Sequence, residues 1–239
     1  MESSESISME SNHIKDENIA KDVNAAASLS TFYLNIISKP SINLALPSPK
    51  LIILDLNGTL CFRKKTRSKN KNYRIILRPF INEFINYLFD NYLVMIWSTS
   101  RPENVDKMVS LIFGDQKEKL IAVWARDKFG FTKEEYERDT KAIKNLDIIW
   151  KALNTQTESP DNLILDPTNT ILIDDSRYKA QLQPFNAIHP RGFNRERVGK
   201  GGDSELTTII KYLEVVKYQS NVAAYMKDHP FTDQEQLIS

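Results

Sequence analysis

The sequence is poor in the residues that cross-link or ligate in small proteins. Among its 239 residues there is one cysteine, Cys61, and there are three histidines, His13, His189 and His229. A single cysteine excludes an intramolecular disulfide, and three scattered histidines do not by themselves form a zinc-binding pattern. A reducing compartment is therefore the easier fit.

Long apolar runs and an excess of one charge are also missing. No stretch approaches the roughly 18–20 apolar residues that a membrane-spanning helix needs, so no membrane partner is expected. Lys and Arg number 32 against 31 Asp and Glu, a net charge of +1, which gives no overall attraction to nucleic acid. The length and the 41% hydrophobic content suit one α/β domain or two small domains.

Residues 1–48 have neither the pattern of a folded domain nor that of an import signal. The segment 1–25 is polar and acidic, contains no arginine and lacks the apolar centre of a signal peptide. We predict a flexible N-terminal arm and linker over residues 1–48, in which Thr31–Ile37 has the content of a short helix. The lack of a signal favours the nucleus or the cytoplasm, and a basic segment described below favours the nucleus.

Residues 49–239 alternate between segments of strand and helix type. Apolar runs predict four buried strands, namely Leu51–Leu54, Leu93–Trp97, Ile121–Trp124 and Thr170–Ile173. Segments with helical spacing lie between and after these runs, beginning at Pro79, Pro102, Lys144 and Leu206, with a last one near Val222–Met226. This alternation predicts one α/β domain over residues 49–239, with a mostly parallel sheet between two helical layers.

Polar residues follow three of these strands at the edge where such sheets bind ligands. Asp55, Asn57 and Thr59 follow the first strand, and Lys144 lies between the second and fourth strands. The second strand ends in Ser98-Thr99-Ser100 and the fourth in Asp174-Asp175-Ser176. A carboxylate such as Asp55 can attack phosphorus and form an aspartyl-phosphate, while hydroxyls and a lysine stabilise the transferred charge. The set predicts phosphoryl transfer.

The order of these motifs resembles the haloacid dehalogenase superfamily, and more narrowly its small CTD-phosphatase homology family, also called the NLI-interacting-factor-like phosphatases. The resemblance covers about Lys50 to Pro190. Its supporting segments are Leu77-Arg78-Pro79 with Glu83-Phe84, Ile96-Trp97-Ser98, Ile143-Lys144-Asn145-Leu146 and Ile173-Asp174-Asp175-Ser176. It implies a three-layer fold of the haloacid dehalogenase type with a small cap or none, and phosphoserine or phosphothreonine in a protein as substrate.

The resemblance also implies roles for single residues. Asp55 is the expected nucleophile, Ser98 the hydroxyl of the second motif and Lys144 the lysine of the third. Magnesium is the expected cofactor, held by Asp55, by Asp174 and by the backbone carbonyl of Asn57, because Mg²⁺ prefers oxygen ligands. The resemblance therefore implies a metal-dependent protein phosphatase.

One position departs from the family pattern. Where the family has a second aspartate, two residues after the nucleophile, this chain has Asn57, and an amide cannot shuttle a proton. General acid–base help is worth about 10²–10⁴ in rate, so we expect turnover to be reduced or lost. Three outcomes stay open: another proton donor such as Asp175, where the family often has Asn; turnover of good leaving groups only, or a long-lived aspartyl-phosphate; or a pseudophosphatase that binds a protein partner through the same cleft.

Other segments flank the predicted site. Thr99 and Arg101, beside the second motif, are candidates for contact with a substrate phosphate. The most basic segment, Arg63–Arg74, predicts a solvated mobile loop. The alternatives are a basic rim that attracts an acidic phosphopeptide and, more weakly, RNA binding by an adaptor protein. The insertion Asp127–Thr140 is short, which leaves the cleft open and favours a macromolecular substrate. Arg191–Asp203, rich in glycine, predicts a flexible loop near the site.

Overall fold

The structure is a computed structural model that describes residues 29–66, 73–138, 140–156, 163–200 and 202–232. In chain order its strands are β1 (Leu51–Leu54), β2 (Cys61–Lys65), β3 (Tyr73–Leu77), β4 (Leu93–Trp97), β5 (Ala122–Trp124), β6 (Thr170–Ile173) and β7 (Ala187–Ile188). Five of them form one sheet in the order β5-β4-β1-β6-β7, in which every neighbouring pair is parallel. The strands β2 and β3 form a separate antiparallel hairpin.

Helices cover both faces of the sheet. In chain order they are α1 (Thr31–Ile37), α2 (Ile81–Asn91), α3 (Pro102–Phe113), α4 (Lys133–Glu137), α5 (Leu146–Gln156), α6 (Arg195–Lys200), α7 (Glu205–Val216) and α8 (Val222–Asp228). Short 3-10 helices occupy Gly114–Lys119, Arg126–Phe129, Arg177–Ala180 and Pro184–Asn186. Within the described ranges, none of the helices combines the length and the apolar character that crossing a bilayer requires.

Strand β1 lies at the centre of the sheet and is buried on both faces. Its side chains alternate between two apolar clusters, because successive residues of a strand point to opposite faces. Ile52 and Leu54 pack on the side of α2, α3, α7 and α8, while Leu51 and Ile53 pack on the side of α5. The predicted three-layer arrangement with a parallel sheet is therefore confirmed.

The predicted strands agree closely with the observed ones. Three of the four have the predicted bounds, and the remaining strand begins at Ala122 instead of Ile121. Strand β7 was not predicted, since its two residues, Ala187 and Ile188, are too few to show a periodic pattern.

The basic segment Arg63–Arg74 is not wholly the solvated loop that its charge predicted. Its first residues belong to β2 and its last two, Tyr73 and Arg74, belong to β3, with Lys65 paired to Tyr73. Residues 67–72 lie outside the described part of the chain. A hairpin forms because the strands continue into the apolar pair Cys61 and Leu77, which packs at the domain end of the ribbon.

Helix α1 packs against the domain, as the content of Thr31–Ile37 predicted. Ser30 caps the helix by accepting a hydrogen bond from the Tyr33 backbone nitrogen. The Tyr33 side chain is buried against Ala223, and its hydroxyl oxygen accepts a hydrogen bond from the Phe185 backbone nitrogen at 3.0 Å. Residues 1–28 lie outside the described part of the chain, so the flexible arm stays a prediction there.

Asn221 joins the segment after α1 to the start of α8. Its Oδ1 accepts a hydrogen bond from the Ala224 backbone nitrogen at 3.1 Å, which caps α8. Its Nδ2 donates to the carbonyl oxygens of Ile36 and Lys39 at 2.9 and 3.2 Å. One buried side chain therefore satisfies three backbone groups of two segments that are far apart in sequence.

We expect Asn221→Ala to lower the free energy of unfolding by about 2–3 kcal/mol, because a lost N-cap costs about 1 kcal/mol and the carbonyls of Ile36 and Lys39 lose a side-chain donor. Asn221→Ser keeps a capping oxygen and loses only the amide donor, so its loss should be smaller. Urea denaturation followed by far-UV circular dichroism measures both variants. If Asn221→Ala is as stable as the wild type, the contact does not hold α1 in place.

Candidate active site

Three charged side chains meet at the carboxyl ends of β1 and β6. Asp55 follows β1 and Asp174 follows β6, and the pairing of Leu54 with Ile173 places the two carboxylates side by side. Lys144 Nζ donates to Asp55 Oδ1 at 2.9 Å and to Asp174 Oδ2 at 2.6 Å. All three side chains are buried, with exposures of 2% or less. A lysine thus bridges two carboxylates inside the protein.

The backbone around Lys144 fixes its position. Lys144 lies in the loop before α5, which begins at Leu146, so the expectation that the lysine starts the helix is wrong by two residues. Asn145 caps the start of the helix, because its Oδ1 accepts a hydrogen bond from the Asp147 backbone nitrogen at 3.1 Å. The Lys144 backbone nitrogen donates to the Lys179 carbonyl oxygen at 2.8 Å.

The sequence prediction missed a second lysine at the site, Lys179. Its Nζ lies 3.0 Å from Asp174 Oδ1 and 3.5 Å from Asp55 Oδ1. Lys179 belongs to the 3-10 helix Arg177–Ala180, which turns the chain back to the end of β6. Its proximity in sequence to the Asp174 motif was the available signal, but only the turn shows that its side chain returns to the aspartates.

The charges of the cluster shift one another's pKa. Burial opposes ionisation of Asp174, but the ammonium groups of Lys144 and Lys179 prevail and hold the pKa of Asp174 below its ordinary value. Burial disfavours the Lys179 ammonium in the same way, yet Asp55 and Asp174 raise the pKa of Lys179. Burial and the carboxylates of Asp55 and Asp174 raise the pKa of Asp175 to about 6.

The loop after Asp55 packs directly against Asp175. Gly58 has a φ of +98°, and a Cβ atom at this position would lie 2.5 Å from Asp175 Oδ2. The Asp175 backbone nitrogen donates to Thr59 Oγ1 at 3.1 Å. Both the backbone conformation and the close approach of a carboxylate therefore require glycine at position 58.

Asn57 faces the β2–β3 hairpin. Its Oδ1 accepts a hydrogen bond from the Arg63 backbone nitrogen at 3.1 Å. The Arg63 guanidinium lies 4.5 Å from the centre of the Tyr73 ring, and its Nη1 donates to Ser100 Oγ at 3.1 Å. The hairpin thus contacts both the nucleophile loop and the second motif, which the sequence did not predict.

The second motif lies at the end of β4, the neighbour of β1. Ser98 is buried and Thr99 is half-buried at this edge of the sheet. The guanidinium of Arg101 pairs with Glu137 and lies 5.5 Å from the centre of the Tyr136 ring. These contacts direct Arg101 toward α4, so the structure brings Ser98 to the same edge as Asp55 but does not bring Arg101 there. Substrate binding by Thr99 and Arg101 stays a prediction.

Arg126 organises the short insertion that the sequence placed between the third strand and Lys144. Its guanidinium donates to the carbonyl oxygens of Glu135, Tyr136 and Arg138 at 2.6–2.9 Å. The insertion consists of a 3-10 helix and the five-residue helix α4. It is therefore small and internally bonded, in agreement with the predicted small cap.

Arg78 anchors the segment that was expected to be a flexible loop, Arg191–Asp203. The buried guanidinium donates to both carboxylate oxygens of Asp203 at 3.0 Å and to the Arg191 carbonyl oxygen at 2.8 Å. It also donates to the Thr59 carbonyl oxygen at 3.0 Å. Part of the segment forms α6, so the expectation of a flexible loop is wrong here. A bidentate arginine ties the segment to the nucleophile loop.

The acidic residues of the site fit a divalent metal. Asp55, Asp174 and Asp175 each offer a carboxylate oxygen, and these oxygens lie within 4.8 Å of one another. Mg²⁺ takes oxygen ligands, usually few from the protein, so this set suits it better than it suits zinc. The part predicted for the backbone carbonyl of Asn57 stays a prediction.

Comparison with known proteins identifies the family. The sequence model described as NLI interacting factor-like phosphatase matches residues 50–223. The chain belongs to this family. An uncharacterized FCP1 homology domain-containing protein of Schizosaccharomyces pombe is 36% identical over 200 residues, which cover 80% of this chain and 81% of that protein. A ubiquitin-like domain-containing CTD phosphatase of Arabidopsis thaliana is 28% identical over 79% of this chain and 53% of its own length.

The fold agrees with that of a solved CTD phosphatase structure. The structure of Fcp1, an RNA polymerase II CTD phosphatase, has a TM-score of 0.52 and 14% identity, over 73% of this chain and 68% of that chain. At this low identity the likeness shows the fold alone. The shared fold confirms the fold of the haloacid dehalogenase type that the motifs predicted. The chain spans about half the length of the ubiquitin-like domain-containing CTD phosphatases of Drosophila melanogaster and Arabidopsis thaliana, 49% and 53%.

Gly58→Ala should disrupt the site, because the added methyl group meets Asp175 and the backbone must hold a positive φ. We expect a loss of at least about 1–3 kcal/mol in the free energy of unfolding, together with lost binding of beryllium fluoride, a phosphate mimic. Gly130→Ala separates the two causes, since Gly130 has a φ of +69° but open space around it. Gly199→Ala, also in open space, should leave binding unchanged. Equal losses in Gly58→Ala and Gly130→Ala would contradict the contact.

Proposed function

We propose that this chain is a Mg²⁺-dependent protein phosphatase that works through an aspartyl-phosphate at Asp55. The observation that carries the proposal is the buried Lys144 between Asp55 and Asp174. The lysine neutralises charge on the two carboxylates, so that an anionic phosphate can approach them. Lys144 and Lys179 both approach Oδ1 of Asp55, which makes Oδ2 the better candidate for the attacking oxygen.

The reaction consists of two displacements at phosphorus. In the first, the Asp55 carboxylate forms a bond to phosphorus while the bond to the ester oxygen breaks, and the leaving oxygen takes a proton, for which Asp175 is the candidate donor. In the second, water attacks the aspartyl-phosphate, which releases inorganic phosphate and restores Asp55. Ser98 and the backbone amides after Asp55 serve as donors to the phosphoryl oxygens. Asp55, Asp174 and the backbone carbonyl of Asn57 would hold Mg²⁺, which would supply positive charge to stabilise the transferred group.

Phosphoserine or phosphothreonine in a protein is the substrate we propose. Support comes from the names of the relatives, which are CTD phosphatases, and from the small insertion, which leaves the cleft accessible to a macromolecule. The described basic residues of the hairpin, Arg63, Lys64, Lys65 and Arg74, favour acidic residues next to the phosphate. Action on a nuclear protein agrees with the RNA polymerase II substrate in the name of Fcp1, and the nucleus or the cytoplasm is the proposed compartment.

A pseudophosphatase is the second candidate, and Asn57 is the observation that favours it. The amide oxygen of Asn57 is engaged with the Arg63 backbone nitrogen. An amide at this position cannot give a proton to the leaving alcohol or take one from water. In this second candidate the cleft keeps its affinity for phosphate and binds a phosphorylated partner without turnover.

The decisive assay compares the wild type with Asp55→Asn and Asn57→Asp, using an aryl phosphate with and without Mg²⁺. We expect Asn57→Asp to raise kcat by about 10²–10⁴, because it restores a proton-transferring carboxyl group. Asp55→Asn should remove activity in either background, since it removes the nucleophile. Beryllium fluoride binding should persist in Asn57→Asp, because the lysines and the other aspartates are unchanged.

The results of this assay distinguish the two candidate functions. A silent wild type with an active Asn57→Asp variant identifies a pseudophosphatase on an intact scaffold. A wild type as fast as Asn57→Asp means that another group supplies the proton, and Asp175→Asn then tests that carboxylate. If no version hydrolyses the aryl phosphate or binds beryllium fluoride, the phosphatase proposal fails.

Reversing charge on the hairpin should weaken binding of an acidic phosphoserine peptide. We expect Lys64→Glu with Lys65→Glu to raise the Kd about tenfold at low salt, with a smaller effect as salt screens the charges. Fluorescence anisotropy of the labelled peptide measures this change. Lys107→Glu with Lys211→Glu, exposed positions on α3 and α7, is the matched control and should change the Kd little. Equal changes in the two pairs would show that only net charge matters.

A further inference from the structure

Lys179 makes a contact with Asp174 that the proposed reaction does not use. Its ammonium group lies 3.0 Å from Asp174 Oδ1 and 3.5 Å from Asp55 Oδ1. The ammonium group of Lys144 lies 2.6 Å from Asp174 Oδ2. We propose that Lys179 is a second phosphate-binding cation that competes with the divalent metal for Asp174, so that it lowers metal affinity and raises oxyanion affinity. The inference rests on the proposed function, because the metal and the phosphate are ligands of that site.

Both oxygens of the Asp174 carboxylate are already engaged. Oδ2 accepts from Lys144 at 2.6 Å, while Oδ1 accepts from Lys179 at 3.0 Å and from the Ser176 backbone nitrogen at 2.9 Å. A metal that coordinates Asp174 must therefore displace one ammonium group or lie next to it. Displacement costs the ion pair between lysine and Asp174, and a metal next to the ammonium group is repelled by it, so either arrangement weakens metal binding.

Lys179, rather than Lys144, is the lysine whose ammonium group can leave Asp174. Its side chain is 16% exposed, whereas that of Lys144 is fully buried at 0%. Lys144 also bridges two buried carboxylates at hydrogen-bonding distance, so its removal from them would leave buried charge without a partner. Lys179 has a route toward the solvent side of the site, which is the side from which a phosphate arrives.

Hydrogen bonds hold the backbone of Lys179 on both sides of the residue. Its backbone nitrogen donates to the Ser176 carbonyl oxygen at 3.1 Å, and its carbonyl oxygen accepts from the Lys144 backbone nitrogen at 2.8 Å. The ammonium group therefore remains within reach of Asp55 after it leaves Asp174. A phosphoryl group at Asp55 then lies within reach of the ammonium group, and Lys179 binds it.

The test measures binding of two ligands to the full chain. Lys179→Met removes the charge and keeps an unbranched side chain. We expect this variant to bind Mn²⁺, followed by electron paramagnetic resonance as a substitute for Mg²⁺, about tenfold more tightly than the wild type. We expect it to bind tungstate, an oxyanion that mimics phosphate, about tenfold more weakly by calorimetry. These opposite shifts are what a merely structural role would not produce.

Two control variants isolate the charge of Lys179. Lys179→Arg keeps the positive charge and should resemble the wild type for both ligands. Lys128→Met removes a lysine from a comparable 3-10 helix, where it lies 3.7 Å from Asp127, and should change neither affinity. Thermal unfolding checks that each variant is folded, and Lys179→Gln replaces Lys179→Met in the same comparison if the latter is not.

The outcomes separate this inference from the proposed function. Tighter Mn²⁺ and weaker tungstate binding in Lys179→Met support the competition. If both affinities fall, or if neither changes, while the wild type binds both ligands, the role of Lys179 is overturned and the proposed function stands. If the wild type binds neither Mn²⁺ nor tungstate, both the proposed function and this inference are overturned.

Discussion

The pairing of two buried aspartates with lysine at the ends of β1 and β6 is the constraint on which the site depends. Adjacent parallel strands bring Asp55 and Asp174 together, and two carboxylates at this spacing repel each other unless a cation lies between them. Lys144 supplies that cation at 2.6 and 2.9 Å, fully buried. The loop before α5 and the turn after β6 hold the two lysines at these carboxylates.

Compared with the family pattern, the site lacks one carboxylate and has another at a different position. The carboxylate that the family has at position 57 is an amide here, and Asp175 adds one where the family often has Asn. Asp175 packs against Gly58, so this carboxylate still borders the nucleophile loop. The exchange leaves an acidic site for metal and phosphate and alters the group that would transfer a proton. Binding and turnover are therefore separate questions for this chain.

Much of the fold could be predicted because strands buried on both faces have a plain signature. The runs Leu51–Leu54 and Thr170–Ile173 are uninterrupted apolar segments, and each is followed at once by an aspartate. The hairpin of β2 and β3 could not be predicted in the same way. Its two strands, CFRKK and YRIIL, are short and do not alternate charged with apolar residues. Their pairing joins Cys61 to Leu77 across a segment dominated by lysine and arginine. The sequence shows the positive charge of this segment, but it does not show the register in which the two strands pair.

The sequence by itself determined Asp55, Ser98 and Asp174 as members of one edge, because residues after parallel strands meet there, and the order of the motifs placed Lys144 with them. Only the tertiary structure decided where the flanking cations go. Lys179 reaches the aspartates through a 3-10 turn, and such contacts depend on where a side chain points in space. Sequence spacing records the ends of strands, but the direction of a long side chain is set by packing against segments far away in the chain.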